Sequence, residues 1–244
     1  IIESGILPEG ALQLVCGSGI GILEPLTFQD VVTFTGSAST GKKLKTHPRI
    51  VEEAVPFTME ADSLNAAVLG KEVTPDSEEF GLFVKEIRRE MTVKCGQKCT
   101  AIRRIIVPEH LLEDVKKALT SQLSKITIGS PFEESVRMGA LINRDQMAEV
   151  KKSVEELLSE NELVFGDLNG EGELVGGEWG KGAFMKPILM VNDDPFHKQK
   201  SHTVEAFGPI STLMPYKTME EAIELSHMGK GSLVSTIATY DDDL

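Results

Sequence analysis

A glycine-bearing turn, a pair of cysteines and one isolated glutamate are the groups of this chain whose types and spacing could do chemistry. Gly36-Ser37-Ala38-Ser39-Thr40-Gly41-Lys42 follows a strand-like run at 31–35 and leads into a helical pattern. Backbone N–H groups at a helix start, beside glycines that permit close approach, suit phosphate oxygens. The spacing nearly completes a nucleoside-triphosphate loop, but Lys43 stands where that loop needs a Mg²⁺-binding hydroxyl. Three readings stay open on these residues: a phosphate-binding module or P-loop-like NTPase on Gly36 to Lys42, a Mg²⁺-free dinucleotide site, and an ordinary helix cap by Ser37 or Ser39. Gly17-Ser18-Gly19-Ile20-Gly21 matches a dinucleotide turn only in part and reads as a strand-to-loop turn.

Cys95 and Cys99 flank Gly96-Gln97-Lys98, between an amphipathic pattern ending near Thr92 and a strand-like run from Ile102. A zinc site is not expected. Cys16 is the only other thiol, and His47, His110, His197, His202 and His227 show no ligand spacing. A thiol on a glycine-containing loop beside Lys98 has a route to a lowered pKa and to nucleophilic attack, with a buried inert cysteine as the alternative. Cys16, ending the apolar run 12–16, is expected to be buried. A nucleophilic thiol needs a base, and Glu60 interrupts the apolar passages 55–57 and 66–69. A carboxylate set among apolar residues tends towards a raised pKa, as a base working near neutrality requires; otherwise Glu60 is a surface acid on a connecting loop.

The elements that must position these groups are visible as two alternating periods. Strand-like runs lie at 12–16, 31–35, 65–69, 102–107, 184–191, 210–215 and 233–239. Helical faces are formed by Phe80, Phe83, Val84, Ile87 and Met91, by Leu112, Val115, Leu119 and Leu123, and by Met147, Val150, Val154, Leu157 and Leu158. Strand and helix in alternation predict an α/β layered fold. A stretch from Gly166 to Gly182 holds seven glycines and the only tryptophan without either period, and is expected to be a surface loop. A boundary is placed between residues 59 and 60, giving domains 1–59 and 60–244.

With 244 residues the chain can bury a sizeable core, and its net charge of −13 argues against nucleic acid as a partner. Three cysteines favour a reducing compartment, and no apolar run is long enough for a membrane span, so a cytoplasmic protein with no membrane partner is expected. The chain opens inside an apolar helix-like stretch at Ile1-Ile2 and stops on Asp241-Asp242-Asp243-Leu244, so either end is expected to be a cut.

Together these pieces resemble the aldehyde dehydrogenase superfamily. Phe34-Thr35-Gly36-Ser37 with Gly41 is similar to the family's F-T-G-S-x-x-x-G cofactor segment, Glu60 falls at its general-base glutamate, Gly96-Gln97-Lys98-Cys99 is similar to its G-Q-x-C nucleophile motif, and Glu205-Ala206-Phe207-Gly208-Pro209 to its E-x-F-G-P motif. The resemblance implies a partial Rossmann-type cofactor domain followed by an α/β catalytic domain. It implies Cys99 as nucleophile, Glu60 as base, Gly36 and Ser37 on the cofactor, Glu205 on the nicotinamide ribose and Phe207 near the nicotinamide. The cofactor would be NADP, with NAD as the alternative, and the parent protein a homo-oligomer.

Thr58 to Asn65, Gly96 to Arg104 and Thr203 to Pro209 are similar to a narrower branch of the family, the dehydrogenases of phenylacetate degradation. That branch implies a CoA-linked semialdehyde as the small-molecule substrate, and a hydratase-like domain that does not appear in these residues. Where the family usually follows its base with Gly-Gly-Lys, this chain has Ala61-Asp62-Ser63. By the same resemblance, an oxyanion-hole asparagine and an adenosine-side lysine would precede Ile1, and the pairing segment would follow Leu244. The chain is thus expected to be a fragment, inactive alone.

Overall fold

The computed structural model describes residues 3–17 and 21–241. Ile1–Asp62 and Ser63–Leu244 form two compact units. In the first, β1 (Val32–Gly36) lies parallel to β2 (Phe57–Ala61), with Thr35 opposite Glu60 and Gly36 opposite Ala61. Parallel neighbours need a crossover, supplied by α1 (Ala38–Lys45) and α2 (Pro48–Glu52). Ser37 starts α1 by accepting the Thr40 N–H at 3.3 Å, and Pro48 opens α2, where a missing N–H costs nothing. Gly41 lets α1 lie against Phe34 and Met59, whose side chains occupy the space of a Cβ.

Glu60 therefore stands inside a strand of the first unit, which continues two residues beyond it to Asp62. The run 12–16, expected as a strand, is irregular, and Cys16, expected to be buried, is exposed. Among the described residues no strand pairs with it, and residues 12–16 are all exposed. Of the turn read at 17–21, residues 18–20 lie outside the described residues. So do Ile1, Ile2 and the terminal Asp242, Asp243 and Leu244.

The second unit runs β3 (Ala66–Leu69), α3 (Glu78–Thr92), β4 (Arg104–Pro108), α4 (Leu112–Leu123), α5 (Arg144–Leu158), β5 (Glu162–Phe165), β6 (Ile188–Val191), β7 (Ile210–Tyr216), α6 (Met219–Met228) and β8 (Ser235–Ala238). Its sheet has the order β5-β6-β7-β4-β3-β8, parallel throughout except for β5 against β6. The expected α/β class is found. Strands β3, β4 and β6 are buried along their whole length, as a sheet covered on both faces requires.

Alternate side chains divide those faces. Ala67, Leu69, Ile105, Val107, Leu189 and Leu213 meet Phe83, Ile87, Met91, Val115 and Leu119 of α3 and α4. Ile188, Met190 and Ile210 meet Val150, Val154 and Leu157 of α5, while Ala66, Val68, Ile106 and Tyr216 meet Ala222 and Leu225 of α6. Helix α3 begins where Ser77 accepts the Phe80 N–H at 3.3 Å and Glu78 and Glu79 face the positive helix end. The stretch 166–182 holds no helix and no extended strand, as expected. It folds on itself through the Trp179 indole N–H, which donates to the Gly172 carbonyl at 2.7 Å, with Phe184 edge-on at 6.2 Å.

Leu119 is fully buried between α4 and the sheet. Leu119→Ala should lower the unfolding free energy in urea by about 2–5 kcal/mol. Leu82→Ala, on the exposed side of α3, should change it by no more than about 0.5 kcal/mol.

Candidate active site

The thiol loop is a tight reversal between α3 and β4. A single 3₁₀ turn, Val93–Gly96, ends the helix, and Lys94, Cys95 and Gly96 all have left-handed backbones, at φ 53°, 54° and 69°. Two side-chain-bearing residues in that region store strain, of order 1–3 kcal/mol each, that the surroundings must hold. Three anchors do so. The Cys95 side chain is buried in the α5-side core, where desolvation pushes its thiol up to about 12 and leaves it an inert apolar group. Gly96 packs directly on the Gly208 carbonyl, so that any Cβ would collide with backbone. The Gln97 amide accepts the Ile142 N–H and donates to the Lys94 carbonyl, both at 3.0 Å.

Cys99 follows in an exposed turn. Its carbonyl accepts the Asn65 side-chain amide at 2.9 Å, and the residue itself is exposed. The expected help from Lys98 is not found. The Lys98 ammonium binds both oxygens of Glu90, at 2.7 and 2.8 Å, so its charge is neutralised by that pair.

Glu205, Phe207 and Gly208 converge on the same loop through Arg103. The Arg103 guanidinium donates to the Glu205 carboxylate at 3.3 Å, to the Gly208 carbonyl at 2.7 Å and to the Gly96 carbonyl at 2.8 Å, and lies 5.5 Å from the centre of the Phe207 ring. Both charged side chains are buried, at 5% and 8% exposure. Burial lowers the Arg103 pKa and the Glu205 carboxylate opposes that shift; the guanidinium stays protonated. The second Glu205 oxygen accepts the Ser63 N–H at 2.9 Å. Phe207 keeps about a third of its surface exposed, and the Gln146 amide of α5 donates to its carbonyl at 3.1 Å.

Asn65 ties the remaining loops. Its amide nitrogen donates to the Cys99 and Ala101 carbonyls, both at 2.9 Å, and its oxygen accepts the Leu233 and Val234 N–H groups at 3.1 and 2.9 Å. Thus Arg103 and Asn65 join the loop that carries Cys99 to the segment that carries Glu205 and Phe207, where the chain enters β3, β4, β7 and β8. Neither Arg103 nor Asn65 was singled out as functional from the sequence. The visible signal for Arg103 was a pair of arginines inside the apolar run that begins at Ile102.

In the first unit, Gly36 and Ser37 end β1 at the start of α1, beside the end of β2 that carries Glu60. Glu60 is exposed. The enclosure expected from its apolar sequence neighbours is absent: Thr58 and Met59 beside it in β2 are exposed too, and of residues 55–57 only Val55 is buried. Asp62, with a left-handed φ of 38°, accepts the Ala38 N–H at 2.9 Å. A carboxylate therefore already sits on the helix start that suits a phosphate. Taken unit by unit, the amide donors at the start of α1 suit phosphate oxygens in the first, and the Glu205 carboxylate near the partly exposed Phe207 ring suits a hydroxyl-bearing, aromatic ligand in the second.

The model of the aldehyde dehydrogenase family matches residues 1–243. A 3,4-dehydroadipyl-CoA semialdehyde dehydrogenase of Aromatoleum evansii is 41% identical over 241 residues, covering 99% of this chain and 47% of that protein. The chain thus spans about half the length of the curated relatives it matches. An aldehyde dehydrogenase of Mycobacterium tuberculosis solved with NAD⁺ superposes with a TM-score of 0.71 at 25% identity, over 87% of this chain and 41% of that one. For a betaine aldehyde dehydrogenase of Staphylococcus aureus the TM-score is 0.75 at 23% identity, over 87% and 40%, which speaks to the fold alone.

Native alkylation with iodoacetamide, read by peptide mapping, should modify Cys99 and Cys16 and spare Cys95 until the chain is unfolded. Gly96→Ala places a Cβ against backbone at a left-handed position. It should cost roughly 1–3 kcal/mol or more and open Cys95 to the reagent in native buffer.

Proposed function

The chain belongs to the aldehyde dehydrogenase family, and from that premise we propose that it carries the thiol, the base and cofactor contacts of an NAD(P)-dependent oxidation of an aldehyde to a carboxylic acid. The reading rests on one observation above others. An exposed thiol, Cys99, sits on a strained loop clamped to the segment that bears Glu205 and Phe207.

In this reading the Cys99 thiolate attacks the aldehyde carbon and forms a thiohemiacetal. The developing oxyanion is held by the Cys99 N–H; the second donor implied by the resemblance, an asparagine amide, is not among these residues. A bound nicotinamide dinucleotide supplies the hydride acceptor. By the resemblance, Glu205 would hold its ribose, Phe207 would pack near the nicotinamide, and Gly36 and Ser37 would take its phosphates, where Asp62 would have to yield or share the Ala38 N–H. With the hydride passed to that acceptor, Cys99 would hold the acyl group as a thioester. Glu60, exposed and accessible to water, then takes a proton from the water that hydrolyses it. The thiolate is regenerated and the acid leaves.

The substrate we infer is a CoA-linked semialdehyde, by analogy with the Aromatoleum evansii relative, and the cofactor NADP, with NAD as the alternative. Hydrolysis of a nucleoside triphosphate at Gly36 to Lys42 is the weaker reading, since Lys43 offers no hydroxyl to Mg²⁺ and Asp62 brings negative charge to the loop.

The test is reduced-nicotinamide formation by the full-length protein. Cys99→Ala should lower it at least about 10³-fold. Glu60→Gln should slow steady turnover by roughly 10²–10⁴-fold while a first-turnover burst persists. Full activity in the Cys99 variant would rule out the thiol mechanism, and unchanged turnover in the Glu60 variant would remove that base.

A further inference from the structure

We propose that Arg103 is a positioning residue for cofactor binding: its guanidinium holds the Glu205 carboxylate and the Phe207 ring in fixed relation to the Cys99 loop. The inference rests on the roles given to Glu205 and Phe207 in the preceding section and adds a residue that those roles depend on. Its geometry is unusually complete. Three donors of one planar group meet three acceptors, on Glu205, Gly208 and Gly96, and the Phe207 ring lies beside the same cation.

Arg103 is itself immobilised. Its N–H donates to the Asn65 carbonyl at 3.1 Å and its carbonyl accepts the Thr212 N–H at 2.9 Å, so its backbone is pinned between the segment entering β3 and strand β7 itself. The guanidinium can therefore transmit position instead of following it. A lysine could not do the same, because an ammonium is a point charge without the planar fork that meets separate acceptors along fixed directions. Stability alone gives weak reason to place this pair here, since a buried ion pair is often matched by apolar packing of the same volume. What apolar packing cannot supply is a defined direction for the Glu205 oxygens. Ser63 fixes one of them and Arg103 the other.

The experiment compares the full-length protein with Arg103→Lys, Arg103→Met and Glu205→Gln variants and the Arg103→Met/Glu205→Gln double variant. NADPH and NADH binding is followed by fluorescence titration, Cys99 alkylation by peptide mapping, and aldehyde oxidation is assayed separately. Arg103→Met should weaken dinucleotide binding roughly tenfold to a hundredfold and change the Cys99 alkylation rate much less. Arg103→Lys should fall between the two, and the double variant should bind no worse than the weaker single one, because both changes break the same link. Cys95 reports the fold: if it becomes reactive in native Arg103→Met, the Arg103→Lys titration decides. Dinucleotide affinity within about twofold of the parent in a folded variant, or fully additive losses in the double variant, would overturn the proposal. A parent protein that binds NADPH yet oxidises no aldehyde would instead contradict the reaction proposed above, and the titrations would still judge Arg103.

Discussion

Two consecutive buried cations stand at the entrance to the central strand, and the loops of the larger unit are arranged to satisfy them. Arg103 and Arg104 are 5% and 1% exposed, and a charge taken out of water is tolerated only when its donors are met. Successive side chains along a strand point to opposite faces, so the two guanidinia go opposite ways. Arg103 takes the carbonyls of Gly96 and Gly208. Arg104 takes those of Leu64, Leu225 and Ser226, at 2.7, 2.5 and 3.0 Å, and closes the carboxyl end of α6. Burial brings its pKa down to about 10, so it remains charged at neutral pH. Gly229 has no Cβ where that guanidinium lies.

This requirement places the candidate site at the amino ends of parallel strands. Open α/β sheets usually present ligands at the carboxyl ends, where the first unit has Gly36 ending β1 and Ser37 and Asp62 directly after β1 and β2. In the second unit, Asn65, Arg103, Gly208 and Leu233 all precede strands. Leading N–H groups there need acceptors. The Asn65 carbonyl takes those of Arg103 and Arg104, and its side-chain oxygen takes those of Leu233 and Val234. The thiol loop is thus built on the same bonds that start the sheet, which links its precision to the stability of the core.

Much of the fold was readable in advance because buried parallel strands and amphipathic helices leave strong periodic marks. The runs that became β1, β3, β4, β6, β7 and β8, and the faces of α3, α4 and α5, were all visible in the apolar pattern. Strand β2 was hidden because Thr58 and Glu60 make it look like a polar break, and what stabilises it is pairing with β1, a non-local fact. The alternation at 12–16 misled for the converse reason: it finds no partner strand among the described residues. Cys99, Glu60, Glu205 and Phe207 were proposed from motif resemblance. Environment did not follow from adjacency, since Lys98 turns to Glu90 and Glu60 is exposed. Arg103 escaped notice because its carboxylate partner is 102 positions away.

The proposed reaction requires a covalent acyl intermediate on Cys99. The direct measurement is mass spectrometry of the full-length Glu60→Gln protein, quenched after brief incubation with a reactive aldehyde and NADP⁺ and digested. An acyl addition confined to the peptide holding Cys99, dependent on the oxidised cofactor and absent from Cys16 and Cys95, is the predicted result. Acylation of another cysteine, or product acid formed with no acyl species on Cys99 at any quench time, would contradict the account.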